Sequence, residues 1–318
     1  MNTSLKQIMK DFNTEEKCRA FLIRQRWNGV PVCPYCGNTK QYVIDNGKRF
    51  KCANNKCYKK YSVTLGTVFE SSNIPLTTWL PAVYIINAHK KGISSVQLAK
   101  DLGVTQKTSW FMLHRIREFM KENNPQMLGG IVEADETYMG RKYRSDFKGL
   151  PPDELDYQAK NKKGNLGAVV GVSDRITGNV IVRAFDSNNG ANVRGLIKQN
   201  VIPGTMLHTD ESSLYRRNLE EYKHETVWHS KREWARDGVH TNNVEAFWSV
   251  MKRGVYGIYH QISFKHLQAY CNEFSYRHNS RKMTDGQRFE LSLRNIEGRL
   301  SYKQLVHGKK QENNSQTT

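Results

Sequence analysis

The chain has 318 residues and carries 49 Lys and Arg against 30 Asp and Glu, a formal net charge of +19 at pH 7. This length allows two or three domains with a buried core, and the positive surplus favours a polyanionic partner such as DNA, RNA or the ribosome. No apolar run approaches the length of a membrane span, and the amino terminus lacks the apolar core of a signal peptide. The composition therefore argues against a membrane protein, and we expect a cytoplasmic location.

Four of the six cysteines lie in two short knuckles near the amino terminus, at Cys33, Cys36, Cys52 and Cys57. The segment between the knuckles contains the pair Asn46-Gly47, which predicts a hairpin. Four thiolates fill the tetrahedron of one Zn²⁺ ion, so we predict a structural zinc ribbon in an N-terminal module, with a helix, at residues 1–70. Two disulfides are the alternative, but they fit poorly with a reducing compartment. Cys18 and Cys271 lack a partner motif and are interpreted as buried or incidental thiols.

Residues 71–125 have the periodicity of a helical domain. One helix is predicted from Trp79 to His89, and two more are predicted on either side of Gly103, the last starting near Thr105. A short helix, a turn with Gly and a basic helix are typical of a helix-turn-helix, although an ordinary helical hairpin has the same pattern. The candidate DNA contacts are Gln106, Lys107, Ser109 and His114.

The run GGIVEAD opens a predicted catalytic domain at residues 126–300. Its alternation predicts a strand on which Glu133 and Asp135 share one face, with Asp135 near the end. The following residues 139–164 lose periodicity and are rich in charge, Gly and Pro, which predicts a basic surface insertion. The basic side chains of this insertion either contact DNA or are simply solvated.

Two apolar runs, LGAVVGVSD and NVIVRAFD, are joined by the turn RITG and extend the sheet as an antiparallel meander. A helix at GANVRGLIKQNV then precedes a short strand, TMLHT, which follows the Pro203-Gly204 turn and ends at Asp210. Strands flanked by helices predict an α/β domain with a mixed sheet.

Glu245 lies on a predicted helix, because apolar residues recur at helical spacing at Val244, Phe247, Trp248, Met251 and Val255. Asn242 is positioned to cap this helix, and the spacing from Asn242 to Glu245 also matches a capping box, in which Glu245 only bonds a backbone N–H. Lys252, two turns after Glu245, and the adjacent Arg253 are candidate DNA contacts, with a solvated Lys252 as the alternative. The chain is predicted to stay helical to about Leu300, with a disordered polar tail at residues 301–318.

Asp135, Asp210 and Glu245 are carboxylates in the order strand, strand, helix within a basic protein. Carboxylate oxygens are the ligands that Mg²⁺ or Mn²⁺ prefers, and two such ions can support phosphodiester exchange. This pattern predicts metal-assisted chemistry on nucleic acid. A recombinase with a Tyr or Ser nucleophile is the competing mechanism, but its best candidates, Tyr138 and Tyr215, lack the accompanying Arg and His motif.

The order of zinc ribbon, helix-turn-helix, VEADETYMG, HTDESSLY and NNVEAFWSVMKR, with a later YRHN, resembles the bacterial insertion-sequence transposases of the DDE class that have an amino-terminal zinc ribbon. The resemblance extends from about Asn13 to Asn279 and implies an RNase H-like domain in which Asp135, Asp210 and Glu245 hold two Mg²⁺ ions. Some members of this group carry Asn as the third ligand, and Asn242 and Asn243 lie close by. We favour Glu245 because an anionic oxygen binds the ion better than an amide.

The implied reaction cuts the ends of an insertion sequence and joins them to target DNA. Double-stranded DNA is then the expected partner, and the need to hold two ends together predicts a homodimer or a larger assembly. Two other functions fit parts of the pattern: a transposase-derived DNA-binding regulator without catalysis, and an RNase H-like nuclease without strand transfer.

Overall fold

A computed structural model of the protein describes residues 4–122, 125–140, 166–187, 189–260 and 262–307. The chain divides into two compact units, one formed by Met1–Met120 with Lys282–Thr318 and the other by Lys121–Arg281. No helix in the described ranges is both long enough and apolar enough to cross a membrane.

The α-helices of the described residues are α1 (Leu5–Asp11), α2 (Glu15–Trp27), α3 (Leu76–Ala88), α4 (Ser95–Leu102), α5 (Gln106–Phe119), α6 (Gly190–Asn200), α7 (Asn242–Gly254), α8 (Phe264–Asn279), α9 (Asp285–Arg294) and α10 (Tyr302–His307). The strands are β1 (Gln41–Ile44), β2 (Arg49–Cys52), β3 (Lys60–Tyr61), β4 (Ile131–Gly140), β5 (Leu166–Asp174), β6 (Val180–Phe185), β7 (Met206–Thr209) and β8 (Lys223–Thr226).

Strands β1, β2 and β3 form a small antiparallel sheet in the first unit. The turn between β1 and β2 contains Asp45, Asn46 and Gly47, all with positive φ, a conformation that Asn and Gly adopt at low cost. The hairpin predicted from Asn46-Gly47 is therefore present. Phe50 and Tyr61 pack with the cysteines in one buried cluster, which gives this small module its core.

Helices α4 and α5 follow one another with only three residues between them. Ser94 and Thr105 cap their first turns by accepting hydrogen bonds from the backbone N–H groups of Gln97 and Thr108. Gly103 ends α4 in the left-handed conformation, φ 65°. This is the helix, turn and helix that the sequence predicts around Gly103.

Residues 282–300 belong to the first unit, although the sequence predicts them as the end of the catalytic domain at 126–300. The Phe289 ring stacks on Phe21 with centroids 5.9 Å apart, and the Asn87 side chain donates to the Ser292 hydroxyl at 3.1 Å. These partners are 268 and 205 residues apart in the chain. Helical periodicity therefore predicts α9 but not the core that it joins.

The predicted disordered tail at 301–318 is wrong for its first residues. Helix α10 occupies Tyr302–His307, and Leu305 is buried. The Tyr302 ring lies 5.6 Å from that of Phe111, which gives this short segment a packing partner. The remaining residues, 308–318, lie outside the described ranges.

The second unit contains a five-stranded sheet with the order β6-β5-β4-β7-β8. Strands β4, β5 and β6 pair antiparallel, whereas β7 pairs parallel with both β4 and β8. A mixed sheet of this order, with helices on it, confirms the predicted α/β class and is consistent with an RNase H-like domain.

Alternate residues of β4 face different helices. Val132 and Ala134 belong to a buried cluster with α6, whereas Met139 belongs to a cluster with α7 and α8. The sheet is therefore covered on both faces, as its apolar central strands require. Because β4 extends to Gly140, the predicted insertion at 139–164 begins two residues too early, and its positions 141–164 lie outside the described residues.

Candidate active site and zinc site

Asp135 lies on the central strand β4 and faces helix α7. The indole Nε1 of Trp248, two helical turns into α7, donates a hydrogen bond to Asp135 Oδ2 at 2.9 Å. On the neighbouring strand, Gly171 is in register with Asp135, and a Cβ there would lie 2.8 Å from the Trp248 ring. The missing side chain at Gly171 therefore gives the indole the space from which it orients the carboxylate.

Asp210 follows the last residue of β7, the parallel neighbour of β4. The register pairs Glu133 with His208, so Asp135 and Asp210, each two residues further along, come level with one another. The Ser212 backbone N–H donates to Asp210 Oδ1 at 3.0 Å, which fixes the carboxylate in the turn after the strand.

Glu245 lies in the first turn of α7. Its Oε1 atom accepts a hydrogen bond from the Thr241 hydroxyl at 2.7 Å and lies 3.9 Å from His229 Nε2. No sequence pattern predicts a role for His229, because it sits in a loop without a recognisable motif. Its position beside Glu245 is visible only once the chain is folded.

The electrostatic environment links the three carboxylates. Burial, together with the negative charges of Glu136 and Asp210, raises the pKa of Asp135 to about 7. Burial also raises the pKa of Asp210; Glu211 and Glu245 act in the same direction, whereas the Ser212 N–H and His229 oppose the shift. Asp135 must lose a proton before it can bind a cation, and a cation would relieve the repulsion among these groups.

The carboxylates do not form a tight single-ion cluster. Among the described residues, only four cysteines bring three or more potential ligand atoms within 4.8 Å of one another. The carboxylate oxygens of the three acids are nevertheless the ligand type that Mg²⁺ or Mn²⁺ prefers.

Glu133 is the acid that joins β4 to the start of α7. It is completely buried, and Arg175 Nε donates to its Oε1 at 2.6 Å. Its other oxygen accepts the backbone N–H groups of Asn243 and Val244 at 2.8 and 3.1 Å. Glu133 therefore caps the helix from a neighbouring strand and sets where the first turn, with Glu245, lies.

The predicted cap by Asn242 is wrong. Thr241 is the N-cap residue, and Asn242 is the first residue of the helix. The capping box between Asn242 and Glu245 is also not the observed arrangement, because the Glu245 carboxylate bonds the Thr241 hydroxyl. The Asn243 amide nitrogen donates to Glu133 at 3.1 Å, so this side chain is directed to the capping carboxylate.

The candidate DNA contacts on α5 differ in accessibility. Gln106 and Lys107 are exposed, with the Gln106 amide bonded to the Ser95 hydroxyl and Lys107 Nζ 5.1 Å from the Tyr302 ring. Ser109 is fully buried and donates to backbone carbonyls. His114 is 2% exposed and packs on Trp110, so it cannot reach a DNA groove, and neither can Ser109.

The other residues singled out from the sequence differ in how exposed their side chains are. On α7, Lys252 is half-buried and Arg253 is exposed. Tyr215, a nucleophile candidate of the competing mechanism, is 1% exposed and its hydroxyl donates to Glu136 at 2.5 Å. A buried phenol held in this way cannot attack DNA, whereas Tyr138 is exposed.

Cys18 and Cys271 are buried free thiols, as predicted.

The four ribbon cysteines converge on one point. The Sγ atoms of Cys33 and Cys57 are 3.8 Å apart, and those of Cys36 and Cys52 are 3.6 Å apart. A disulfide would bring sulfurs to about 2.05 Å, whereas Zn–S bonds of about 2.3 Å in a tetrahedron place them about 3.8 Å apart. The geometry therefore fits one structural Zn²⁺ with four protein ligands and no open position.

We expect the purified, reduced protein to contain about one zinc ion per chain, and Cys52→Ser to lose most of it, because three thiolates no longer close the tetrahedron. Elemental analysis by mass spectrometry measures the content. Cys18→Ala is the matched control, since it removes a buried thiol outside the ribbon and should leave the zinc in place. Unchanged zinc in Cys52→Ser would contradict the assignment.

Comparison with known proteins gives the same division of the chain. The family described as the ISXO2-like transposase domain matches residues 127–279, and the transposase zinc-ribbon domain matches residues 13–60. A protein from Halobacterium salinarum, "Uncharacterized protein in transposable element ISH50", is 27% identical in an alignment of 283 residues. The alignment covers 85% of this chain and 92% of that protein.

Among solved structures, a chain of the simian T-cell lymphotropic virus intasome in complex with PP2A regulatory subunit B56 gamma aligns with 12% identity and a TM-score of 0.29. The alignment covers 56% of this chain and 63% of that one. The two family matches together cover more than half of the chain, and the ISXO2-like match has nearly the bounds of the second structural unit. The chain belongs to the insertion-sequence transposases of the DDE class that carry an amino-terminal zinc ribbon.

Proposed function

We propose that the protein binds the ends of an insertion sequence, cuts the DNA there and joins the ends to target DNA, with Asp135, Asp210 and Glu245 as ligands of two Mg²⁺ or Mn²⁺ ions. The observation that carries the proposal is that Asp135 and Asp210 come level on neighbouring strands, while Glu245 begins the helix whose Trp248 donates a hydrogen bond to Asp135. Carboxylates are the residue type that such ions require.

The bound ions would activate a water molecule or a 3′-hydroxyl and stabilise the leaving oxygen. In cleavage, water attacks phosphorus and the bond to the 3′-oxygen breaks, which leaves a 3′-hydroxyl and a 5′-phosphate. In joining, that 3′-hydroxyl attacks a target phosphorus, and the target's bond to its own 3′-oxygen breaks to release a 3′-hydroxyl. Neither step needs a covalent bond to the protein. The side chains have positioning roles: Trp248 orients Asp135, and Thr241 holds Glu245.

DNA binding is supported by the net charge of +19 and by the basic residues outside the acidic site. We propose that the ribbon at 1–70 and the helices at 71–125, with exposed Gln106 and Lys107, recognise the element ends. Lys252 and Arg253 would contact phosphates near the acids. Two ends that react together require at least two active sites, which supports a homodimer or a larger assembly.

A DNA-joining assay separates this function from its two rivals. The substrate is a duplex with the terminal repeat that flanks the coding region, cut to leave its 3′-hydroxyl, together with a supercoiled plasmid and Mg²⁺. We expect covalent joining of the duplex to the plasmid, and none in EDTA. Nicking of the plasmid without joining would indicate a nuclease, and binding without either reaction would indicate a DNA-binding regulator.

A further inference from the structure

The loop at residues 227–239, between β8 and α7, exposes large aromatic side chains beside the proposed catalytic acids. Trp234 is 61% exposed and Trp228 is 37% exposed. Among the described residues, Trp234 is the most exposed large aromatic side chain. Burying an indole ring is strongly favourable, so an indole that a fixed loop holds in water is a candidate contact for a ligand.

The loop is fixed at its base by the residue that follows Asp210. The Glu211 carboxylate accepts hydrogen bonds from the backbone N–H groups of His229 and Ser230, both at 2.8 Å. At the other end, Arg236 donates to the Thr226 carbonyl at 3.2 Å. The exposed rings are therefore held at a defined place relative to Asp210.

A chain of contacts connects Trp234 to the acids. The Trp234 and His229 ring centroids are 4.9 Å apart, and His229 Nε2 is 3.9 Å from Glu245 Oε1. On the other side of the loop, Lys231 Nζ lies 4.5 Å from the Trp228 ring, and Lys231 and Arg232 are both exposed. The surface thus combines aromatic faces with positive charge, and it begins at the candidate metal site.

We propose that Trp234 stacks on an unpaired nucleobase of the DNA next to the scissile phosphate, while Lys231 and Arg232 bind the flanking phosphates. This assignment rests on the proposed function for the presence of DNA at the acids. Aromatic side chains stack on bases of any sequence, and cations match the backbone charge. A base inside a duplex has both faces covered, so the ring takes only a base that has left the stack.

The test uses the full-length protein and two single-stranded probes, an oligothymidylate of about 12 nucleotides and an abasic strand with the same number of phosphates. Fluorescence anisotropy should give about tenfold tighter binding of the thymidylate than of the abasic strand, the order of one base–aromatic stack. In Trp234→Ala this ratio should fall toward one. Trp234→Phe keeps an aromatic face and should retain most of the difference in affinity between the two strands.

A photochemical measurement locates the contact. A single 5-iodouracil in the thymidylate should cross-link to Trp234 on irradiation, and to the same residue in Asp135→Asn, because stacking does not require the reaction. The proposal would be overturned if the wild type bound both probes equally, or if Trp234→Ala kept the full ratio of thymidylate to abasic affinity. Cross-links found only outside residues 227–239 would also overturn it. So would a change in Trp234→Ala confined to oligomeric state, which would assign the loop to a protein contact.

The base-stacking proposal and the proposed function fail separately. Joining activity without a Trp234-dependent ratio would refute the base-stacking proposal and leave the proposed function intact. A Trp234 cross-link in a protein that neither cuts nor joins would refute the enzymatic function and keep the nucleobase site.

Discussion

Replacing Asp135, Asp210 or Glu245 with Ala should reduce Mg²⁺-dependent cleavage and joining by a factor on the order of 10³ or more, because each change removes an anionic ligand from the ions. Binding of the element ends should persist, since the proposed recognition residues lie in the first unit. The measurements are joining rates for chemistry and anisotropy for end binding. Each variant is compared with the wild type at matched circular dichroism.

The matched controls are Asn242→Ala and Asn243→Ala, which change the same turn of α7 without removing a carboxylate. Asn242 should be nearly neutral because it is exposed at the start of the helix. Asn243→Ala loses one hydrogen bond to Glu133 and should cost about 1 kcal/mol of stability with modest loss of activity. Full activity in Glu245→Ala, with loss in an Asn variant, would transfer the third ligand to that Asn. Full activity in Asp135→Ala or Asp210→Ala would refute the enzymatic proposal.

Local pattern was enough to predict the elements that carry the three acids. Alternation predicted the strand of Asp135, the Pro203-Gly204 turn predicted the strand before Asp210, and helical spacing predicted the helix of Glu245. These signals depend on residues that are close in sequence. The resemblance to a family supplied the sheet arrangement that brings the elements together.

Contacts between distant residues could not be predicted from local pattern. The space for Trp248 depends on Gly171, 77 positions earlier, and the start of α7 is capped by Glu133, 110 positions before Asn243. The sequence does place Glu133 on the face of Asp135, but alternation does not say which partner a strand residue meets. Asn242 was predicted as the cap because only neighbouring residues were considered.

The DNA contacts predicted at Ser109 and His114 on α5 are wrong for a related reason. Ser109 and His114 are polar, which favours exposure, yet both are buried in the first unit. The buried Ser109 hydroxyl is satisfied by bonding backbone carbonyls, and the His114 ring packs against Trp110. Residue type alone therefore did not separate the exposed side of this helix from its packed side.

Glu133→Ala should cause the largest loss of stability of any single substitution considered for the second unit. It removes a fully buried carboxylate and leaves Arg175, with only 15% of its side chain exposed, without its charged partner. It also leaves the backbone N–H groups of Asn243 and Val244 without their acceptor. Removing one member of a buried ion pair typically costs about 3–5 kcal/mol, and urea unfolding should show a loss of this size.

The matched control is Glu225→Ala, which removes an acid from the same sheet. Glu225 lies 3.6 Å from Arg236 in a pair with both side chains well exposed, so its loss should cost at most about 1 kcal/mol. Glu133→Gln keeps an acceptor for α7 but loses the charge opposite Arg175. Its loss of stability should therefore fall between those of Glu133→Ala and Glu225→Ala. Because the cap sets the position of Glu245, the joining rate should follow the same order even where each variant is fully folded. Equal effects of Glu133→Ala and Glu225→Ala would show that the strand does not position the helix.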